Sequence, residues 1–253
     1  MKFEKMKWPE LKKEAEKGNI VLIPAGSIEQ HGYHLPVDTD TDIVSYIAKE
    51  VSEKTNTLLL PTVYYGYLEY GLNFCGSVSV TNNSLINYMT DIVVSLYKTG
   101  FKKVLIINGH GGNYAALCTA VENINEKAKM MCALINWWGL ASEDIKKVGK
   151  FKFREVSHAC ACETSIKYWI DPENCDSKKA VREITGLDEE YFYWDLFKPS
   201  PVFMLLDWDK YTKSGVSGDA TKANPELGKK ILDLAISKIV FFVNKFKKMS
   251  IPD

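Results

Sequence analysis

The segment Lys103-Val-Leu-Ile-Ile-Asn-Gly-His-Gly-Gly-Asn113 decides the fold that the sequence predicts. Its first five residues, Lys103–Ile107, form a largely apolar run with the length of a buried strand. The glycine-rich turn that follows leads into an amphipathic stretch from about Tyr114 to Lys129. Because a buried strand followed by a turn and a helix is the repeating unit of a parallel sheet, the segment indicates an α/β protein.

The same alternation extends to both sides of this segment. Further strands are predicted at Ile20–Ile23, Leu58–Leu60 and Met131–Ile135, and helices at Pro9–Lys17, Asp40–Glu53, Ser84–Thr99 and from Pro225 onward. The stretch from Asp171 to Gly218 is rich in charged residues, aromatics and proline, so we expect irregular covering structure there. No stretch has linker-like composition, and one domain is therefore expected over residues 1–253.

Composition and charge exclude several classes of protein. Apolar residues make up 46% of the 253 residues, which is typical of a globular domain. Thirty-two basic residues balance thirty-two acidic ones, so neither nucleic acid nor an anionic membrane is an expected partner. The charged N-terminus lacks the apolar run of a secretory signal, and a cytoplasmic location is expected. The six scattered cysteines are expected to be reduced thiols rather than a disulfide framework.

Candidate metal ligands gather in two turns. In an open α/β sheet, ligands bind beyond the carboxyl ends of the strands, which here are the turns after Ile23 and Ile107. Three of the four histidines fall in these turns, and the first turn also carries several carboxylates. Glu29 and His31 stand two residues apart, a spacing that points both side chains to one side of an extended segment. Carboxylates and imidazoles suit zinc and manganese, so the pattern predicts a site for two divalent ions.

A third stretch contains the remaining histidine, His158, and Glu163 at the start of a predicted helix. Both side chains are expected to face the same cleft. An alternative explanation applies to Glu163, because the helix dipole favours an acid in the first turn whether or not it binds anything. Similarly, Asp40 and Asp42 have a structural alternative as capping residues of the helix that begins there, predicted at Asp40–Glu53, and for Asp42 and Asp38 capping or indirect support is favoured over direct ligation.

Three motifs carry a resemblance to a known family. IPAGSIEQHGYHLPVDTDTDI (residues 23–43), NGHGGN (108–113) and HACACETS (158–165) resemble the signatures of the creatininase family of metal-dependent amidohydrolases, in the same order. The resemblance implies a single three-layer α/β/α domain with a mostly parallel central sheet, usually assembled into homo-oligomers such as hexamers.

The resemblance also implies roles for individual residues. Glu29 and His110 would bind one metal, His31 the other, and Asp40 would bridge the two. Glu163 is the candidate for the last ligand, since creatininase uses a glutamate at the position held here by Gly112. His158 matches the proton-transfer histidine of the family, so His158 and Glu163 are the predicted catalytic residues. The implied cofactors are two divalent ions, Zn²⁺ or Mn²⁺, with Fe²⁺ as a further option.

The predicted reaction is hydrolysis of a C–N bond in a small amide, cyclic amide or formamide by a hydroxide that the two metals generate. The alternatives are ring opening of a keto-inositol or keto-sugar, and a catalytically silent metal-binding protein. Creatinine is not the expected substrate, because Gly111, Arg154 and Glu155 stand where creatininase carries aromatic or other cage residues. These three are the predicted substrate-binding residues, with a plain ion pair as the alternative role of Arg154.

Overall fold

The computed structural model describes residues 1–250, and a four-stranded parallel sheet forms its centre. The strands are β1 (Val21–Ala25), β2 (Leu58–Leu59), β3 (Lys103–Asn108) and β4 (Met131–Asn136), in the spatial order β2-β1-β3-β4. Val21 of β1 pairs with Val104 of β3, and Ala25 pairs with Asn108. The two turns that follow β1 and β3 therefore leave the sheet side by side, as the sequence predicts.

Helices cover both faces of this sheet. They are α1 (Trp8–Glu16), α2 (Thr39–Thr55), α3 (Asn82–Lys98), α4 (Tyr114–Lys127), α5 (Ser142–Gly149), α6 (Ala161–Ile170) and α7 (Pro225–Phe246). Each helix and central strand predicted above is present, with ends that differ by one to two residues in most cases. α7 begins where the sequence indicates because Pro225 occupies its first turn and the side chain of Asn224 caps it.

The alternation of side chains along the strands builds two separate cores. Ile20, Leu22, Leu105 and Ile107 pack with α2, α5, α6 and α7 on one face of the sheet. Val21, Ile23, Val104 and Ile106 pack with α3 and α4 on the other face. Both sets are almost completely buried, so the strands are apolar on both sides. The architecture is the expected three-layer α/β/α arrangement.

A second, smaller sheet was not predicted. β5 (Val156–His158), β6 (Arg182–Glu183) and β7 (Ser217–Asp219) form an antiparallel sheet in the order β5-β7-β6. The prediction of irregular covering structure from Asp171 to Gly218 holds for most of that stretch, but β6 and the first two residues of β7 lie within it. Strands of two or three residues have too few positions to show a period of two in the sequence. The small sheet matters because it holds His158.

Two further observations concern the helices and the thiols. Within residues 1–250, every helix is too short or too polar to cross a bilayer. All six cysteines are free, and Cys160 and Cys162 are buried. The expectation of reduced thiols agrees with this arrangement.

Candidate metal centre

The centre lies at the carboxyl ends of β1 and β3. The segment after β1 carries Glu29 and His31, the first turn of α2 carries Asp40, and the residue pair after β3 ends in His110. A side chain at Gly109 would place its Cβ 2.7 Å from the Asp40 carbonyl oxygen and 2.8 Å from Val44 Cβ. Glycine at this position therefore lets the turn after β3 press directly against α2 beside Asp40.

His158 and Glu163 approach from a different part of the chain. His158 ends β5 in the small sheet, and Glu163 lies in the first turn of α6. Five of the six side chains named here are no more than 6% exposed: Glu29, His31, Asp40, His110 and Glu163. Because unpaired ionisable groups are almost never buried, a cluster of this kind needs compensation by charge.

Short contacts link the buried histidines and carboxylates of the cluster. His110 Nδ1 lies 2.9 Å from Glu29 Oε2 and 2.9 Å from Asp40 Oδ2. His31 Nε2 lies 3.3 Å from the other oxygen, Asp40 Oδ1. Asp40 thus faces one histidine with each of its two carboxylate oxygens.

The candidate metal ligands form two groups that share Asp40. One group is Glu29, Asp40 and His110, and the other is His31, Asp40 and Glu163; in each, one ligand atom per residue lies within 4.8 Å of the others. Glu29, His31 and His158 form a third group by the same measure. The first two groups have the composition that borderline divalent cations prefer, and a shared carboxylate is suited to bridging two of them.

The hydrogen-bond inventory tests whether the residues fit such ions. Glu29 Oε2, His31 Nε2 and Asp40 Oδ2 are buried and make no hydrogen bond of acceptable geometry among the described residues, although His110 Nδ1 lies 2.9 Å from both oxygens, and one imidazole N–H cannot serve both. Buried polar atoms without a hydrogen-bond partner are rare in native proteins, and a bound ion is one explanation for them. Three such atoms, one from each of three candidate ligands, therefore fit divalent metal.

The electrostatics of the metal-free protein are dominated by the carboxylates. Burial alone lowers the pKa of His31, but Asp40, Glu163 and Glu29 outweigh it and raise the pKa to about 9. The pKa of His110 rises well above its usual value for the same reason, with Glu29 as the strongest carboxylate influence. Burial raises the pKa of Glu163 to about 7. The centre accordingly attracts positive charge, whether protons or metal ions.

His158 differs from the other two histidines of the centre. Burial is the largest influence and lowers the pKa of His158 to about 4, so its ring is neutral near pH 7. Its Nε2 lies 2.8 Å from the Gln30 carbonyl oxygen, 3.0 Å from the Gln30 side-chain nitrogen and 3.8 Å from Glu29 Oε1, so this ring nitrogen faces the centre. Its ring lies 4.3 Å from that of His31, centroid to centroid. A neutral imidazole beside the candidate ligands is placed to accept and return a proton.

Three carboxylates near the centre, those of Asp38, Asp42 and Asp171, pair with a lysine instead of with histidines. Lys167 on α6 is completely buried, and its Nζ lies 2.5 Å from Asp42, 2.9 Å from Asp171 and 3.5 Å from Asp38. We refer to these four residues as the Lys167 clamp. Asp38 is the N-cap residue of α2 but makes no side-chain cap hydrogen bond, and Asp42 is engaged with Lys167. The capping role considered for Asp42 and Asp38 is therefore replaced by an ion pair between α2 and α6.

The predicted substrate-binding residues lie in two environments. Gly111 is exposed, and a Cβ built there meets no atom within 4 Å, so open space adjoins His110. Arg154 instead pairs with Glu189 at 2.7 Å and donates to the Thr185 carbonyl oxygen. Glu155 accepts from Lys222 at 2.6 Å. Within residues 1–250, neither charged group bonds to the six clustered side chains, and Arg154 has the ion pair that was its alternative role.

Sequence reasoning overlooked an aromatic wall beside the centre. We use this name for Tyr70, Trp194, Trp208 and Tyr211, whose rings pack edge to face in a chain. Trp208 also lies 5.5 Å from the His158 ring. No periodicity in the sequence ties the tyrosines near residue 70 to Trp208. Only their abundance in otherwise irregular segments offered a signal.

The fold and the site together define a class: a three-layer α/β protein with a buried carboxylate and histidine cluster suited to two divalent ions. Comparison with known proteins supplies the family. The profile described as Creatininase, creatinine amidohydrolase, matches residues 4–243. The chain belongs to the creatininase family.

Curated relatives in this family carry several activities. A 3-dehydro-scyllo-inosose hydrolase of Thermotoga maritima is 28% identical over 71% of this chain, and the match spans 59% of that protein's length. The 2-amino-5-formylamino-6-ribosylaminopyrimidin-4(3H)-one 5'-monophosphate deformylase of Methanocaldococcus infernus is 31% identical, covering 90% of this chain and 91% of that protein. A mycofactocin precursor peptide peptidase of Mycolicibacterium smegmatis is 38% identical, covering 84% and 79%. The deformylase and the peptidase act on C–N bonds.

Solved structures agree on the fold. The crystal structure of creatinine amidohydrolase superimposes with a TM-score of 0.84 at 20% identity and covers 98% of each chain. Similar structures include a zinc–zinc form and a manganese form of creatininase. At this level of identity the likeness establishes the architecture alone, and it matches the parallel sheet flanked by helices described above.

Proposed function

We propose that this protein hydrolyses a C–N bond of an amide, a cyclic amide or a formamide, and that two divalent cations serve as its cofactors. The observation that carries the proposal is the pair of ligand groups that share Asp40 and contain three buried atoms without a partner. Glu29 and His110 would hold one cation, His31 and Glu163 the other, and Asp40 would span both. Zn²⁺ and Mn²⁺ are the favoured ions, in keeping with the metal forms known for creatininase.

The cations, when bound, supply hydroxide near neutral pH and polarise a carbonyl group. The residues of the chain do the rest. The deep burial of Glu29, His31 and Asp40 keeps bulk water away and strengthens every charge interaction at the centre. His158 accepts a proton and delivers it to the leaving nitrogen, and its Nε2, 3.8 Å from Glu29 Oε1, is the ring atom placed to carry that proton.

The relatives define the range of substrates to be tried. Two of those described above cleave a formamide or a peptide bond, and amide-type substrates are therefore the first choice. The inosose hydrolase is a specific observation in favour of a second candidate, ring opening of a keto-inositol or keto-sugar. Both reactions require a nucleophile at a carbonyl carbon and a proton donor, so the same residues serve either one.

The experiment measures turnover of a panel of cyclic amides, N-formyl compounds and keto-inositols before and after chelation. We expect one class to be hydrolysed only by the metal-loaded protein. His158→Ala should lower kcat by roughly 10²–10⁴-fold with the metal content unchanged, the usual worth of a positioned proton-transfer group. His34→Gln is the matched control, because His34 is also largely enclosed, at 2% exposure, but its Nε2 bonds to Thr164.

Two outcomes would count against the proposal. Bound metal without turnover of any compound supports the silent metal-binding protein instead. Full activity of the His158→Ala variant with metal bound would remove that residue from the mechanism. Assembly into homo-oligomers belongs to the same proposal and is measured independently by sedimentation.

A further inference from the structure

Tyr70 lies next to the proposed metal centre without any assigned role. It belongs to a 3₁₀ turn, Glu69–Gly71, in the connection between β2 and α3. Its ring packs against those of Tyr67 and Trp208, with centroids 6.0 and 6.2 Å apart. The side chain is half-buried, and its ring has aromatic neighbours on two sides.

The position of the hydroxyl follows from the space around Gly112. A Cβ at residue 112 would lie 2.7 Å from Tyr70 Oη and 2.5 Å from His110 Nε2. Both atoms therefore crowd the same point, and the phenol oxygen is a close neighbour of the His110 ring. Any side chain at residue 112 would displace one of them, so the glycine is what admits the phenol to the centre.

The hydroxyl is free to donate. It makes no hydrogen bond with any group in residues 1–250, and only burial and nearby charges act on it. A phenol with the ordinary pKa of about 10 keeps its proton near pH 7. Beside it, the open space at Gly111 gives a substrate room to approach His110.

We propose that Tyr70 is a further catalytic residue, whose O–H donates a hydrogen bond to the substrate carbonyl oxygen as that oxygen gains negative charge. The inference rests on the proposed function, because it needs a carbonyl group at the centre. A fixed neutral donor aimed at a developing oxyanion stabilises the transition state more than the ground state. Trp208 fixes the donor, since it packs against Tyr70 and against His158.

The first test compares Tyr70→Phe with Tyr211→Phe in the metal-loaded protein. Phenylalanine keeps the ring packing and removes only the hydroxyl. The Tyr211 hydroxyl accepts from the Leu206 backbone N–H in the same aromatic wall, so its loss controls for a general effect. We expect Tyr70→Phe to lower kcat by roughly 10²–10³-fold with KM and metal content little changed, as for loss of one oxyanion donor. Tyr211→Phe should retain wild-type kcat.

The second test does not depend on turnover. Acetohydroxamate is a small oxygen-donor anion that binds metal centres, and its affinity for the loaded proteins is measured by calorimetry. We expect Tyr70→Phe to bind it roughly tenfold more weakly than wild type and Tyr211→Phe to bind it equally. Equal affinity in Tyr70→Phe at equal metal content overturns the inference, and so does a loaded wild-type protein that does not bind acetohydroxamate at all.

The two tests separate the inference from the proposed function. If the loaded wild-type protein turns over no compound of the panel, the proposed function fails. The acetohydroxamate comparison then still decides whether Tyr70 donates to an oxygen ligand at this centre. If turnover is normal in Tyr70→Phe, the hydrolase proposal stands and Tyr70 is not part of its machinery.

Discussion

Three aspartates, Asp38, Asp40 and Asp42, lie at the N-terminal end of α2, and their charges are balanced in two different ways. Asp42 and Asp38 belong to the Lys167 clamp, where a fully buried ammonium group lies within 3.5 Å of three carboxylates. Asp40, between them in the sequence, faces only histidines and further carboxylates. The clamp contains its own cation, the Lys167 ammonium group, whereas the proposal for the centre around Asp40 is that its cations are bound from solution.

The difference shows how the same residue type serves structure in one place and chemistry in another. Every carboxylate of the clamp is partly exposed, from 24% for the Asp171 side chain to 48% for that of Asp38, so water solvates part of its charge. Asp40 is 3% exposed and leaves one oxygen without a hydrogen-bond partner. Buried charge without a fixed partner destabilises a fold, and it is tolerated where a ligand supplies the missing charge.

The largest effect is expected from Asp40→Asn. Because Asp40 belongs to both ligand groups, its loss should reduce bound metal from two ions per chain to none and turnover to background. Asp42→Asn, two residues away, should keep both ions. Elemental analysis after dialysis measures the contrast. Equal metal content in the two variants would mean that the comparison between the centre and the clamp is wrong.

Glu163→Gln should have the next largest effect, which is weaker binding of one of the two ions. Glu163 belongs only to the group with His31, so the affinity for the second ion should fall by at least ~10²-fold while the first ion stays bound. Competition with a chromogenic chelator measures both affinities. If Glu163 serves only the dipole of α6, both ions remain and the variant loses about 0.3–1 kcal/mol of stability.

Lys167→Met, one helical turn further along α6, should change stability instead of metal binding. The variant keeps an apolar stem of similar length and leaves three partly exposed carboxylates without their cation. We expect the free energy of unfolding to fall by about 2 kcal/mol, less than for a fully buried pair because water solvates the acids. Urea denaturation of the chelated protein gives this value, and loss of either ion would contradict the assignment.

The clamp also predicts the smallest effect, a dependence on pH. Burial alone raises the pKa of Asp171, but hydrogen bonds from Lys167 and Asn174 lower it overall. The pKa of Lys167 is raised by Asp42 and Asp171 despite its burial. The stabilisation is therefore present from about pH 4 to about pH 10, the values in the unfolded chain.

The stabilisation by the clamp is lost at low pH, as the pH falls below about 4 through the lowered pKa of Asp171. It is also lost at high pH, as the pH rises through the raised pKa of Lys167. The difference in stability between wild type and Lys167→Met should thus be constant from about pH 5 to 9 and shrink below about pH 4. A difference that grows toward acid would contradict the ion pair.

Much of this arrangement was predictable from the sequence, for a physical reason. Parallel strands end at the same edge of a sheet, so turns after two neighbouring strands must meet, and their chemistry can be combined without coordinates. This reasoning predicts that Glu29, His31, Asp40 and His110 lie close together, and their side chains cluster in the structure. Their roles as ligands stay predictions until metal is measured.

The remaining features depend on packing between distant segments. The strands of the small sheet are two or three residues long and leave no periodic trace. Lys167 looks like any helical lysine until its Nζ is found among carboxylates from α2 and from the end of α6. Tyr70 reaches the centre only because residue 112 has no side chain, and a sequence does not state which ring fills such a space.

The most direct measurement is the number of divalent ions bound per chain. The purified protein is loaded with Zn²⁺ or Mn²⁺, dialysed and analysed by mass spectrometry for metal against protein concentration. The account predicts two ions per chain, one for each group that shares Asp40. A value of zero after generous loading would contradict the central claim, and a value of one would remove the bridging role of Asp40.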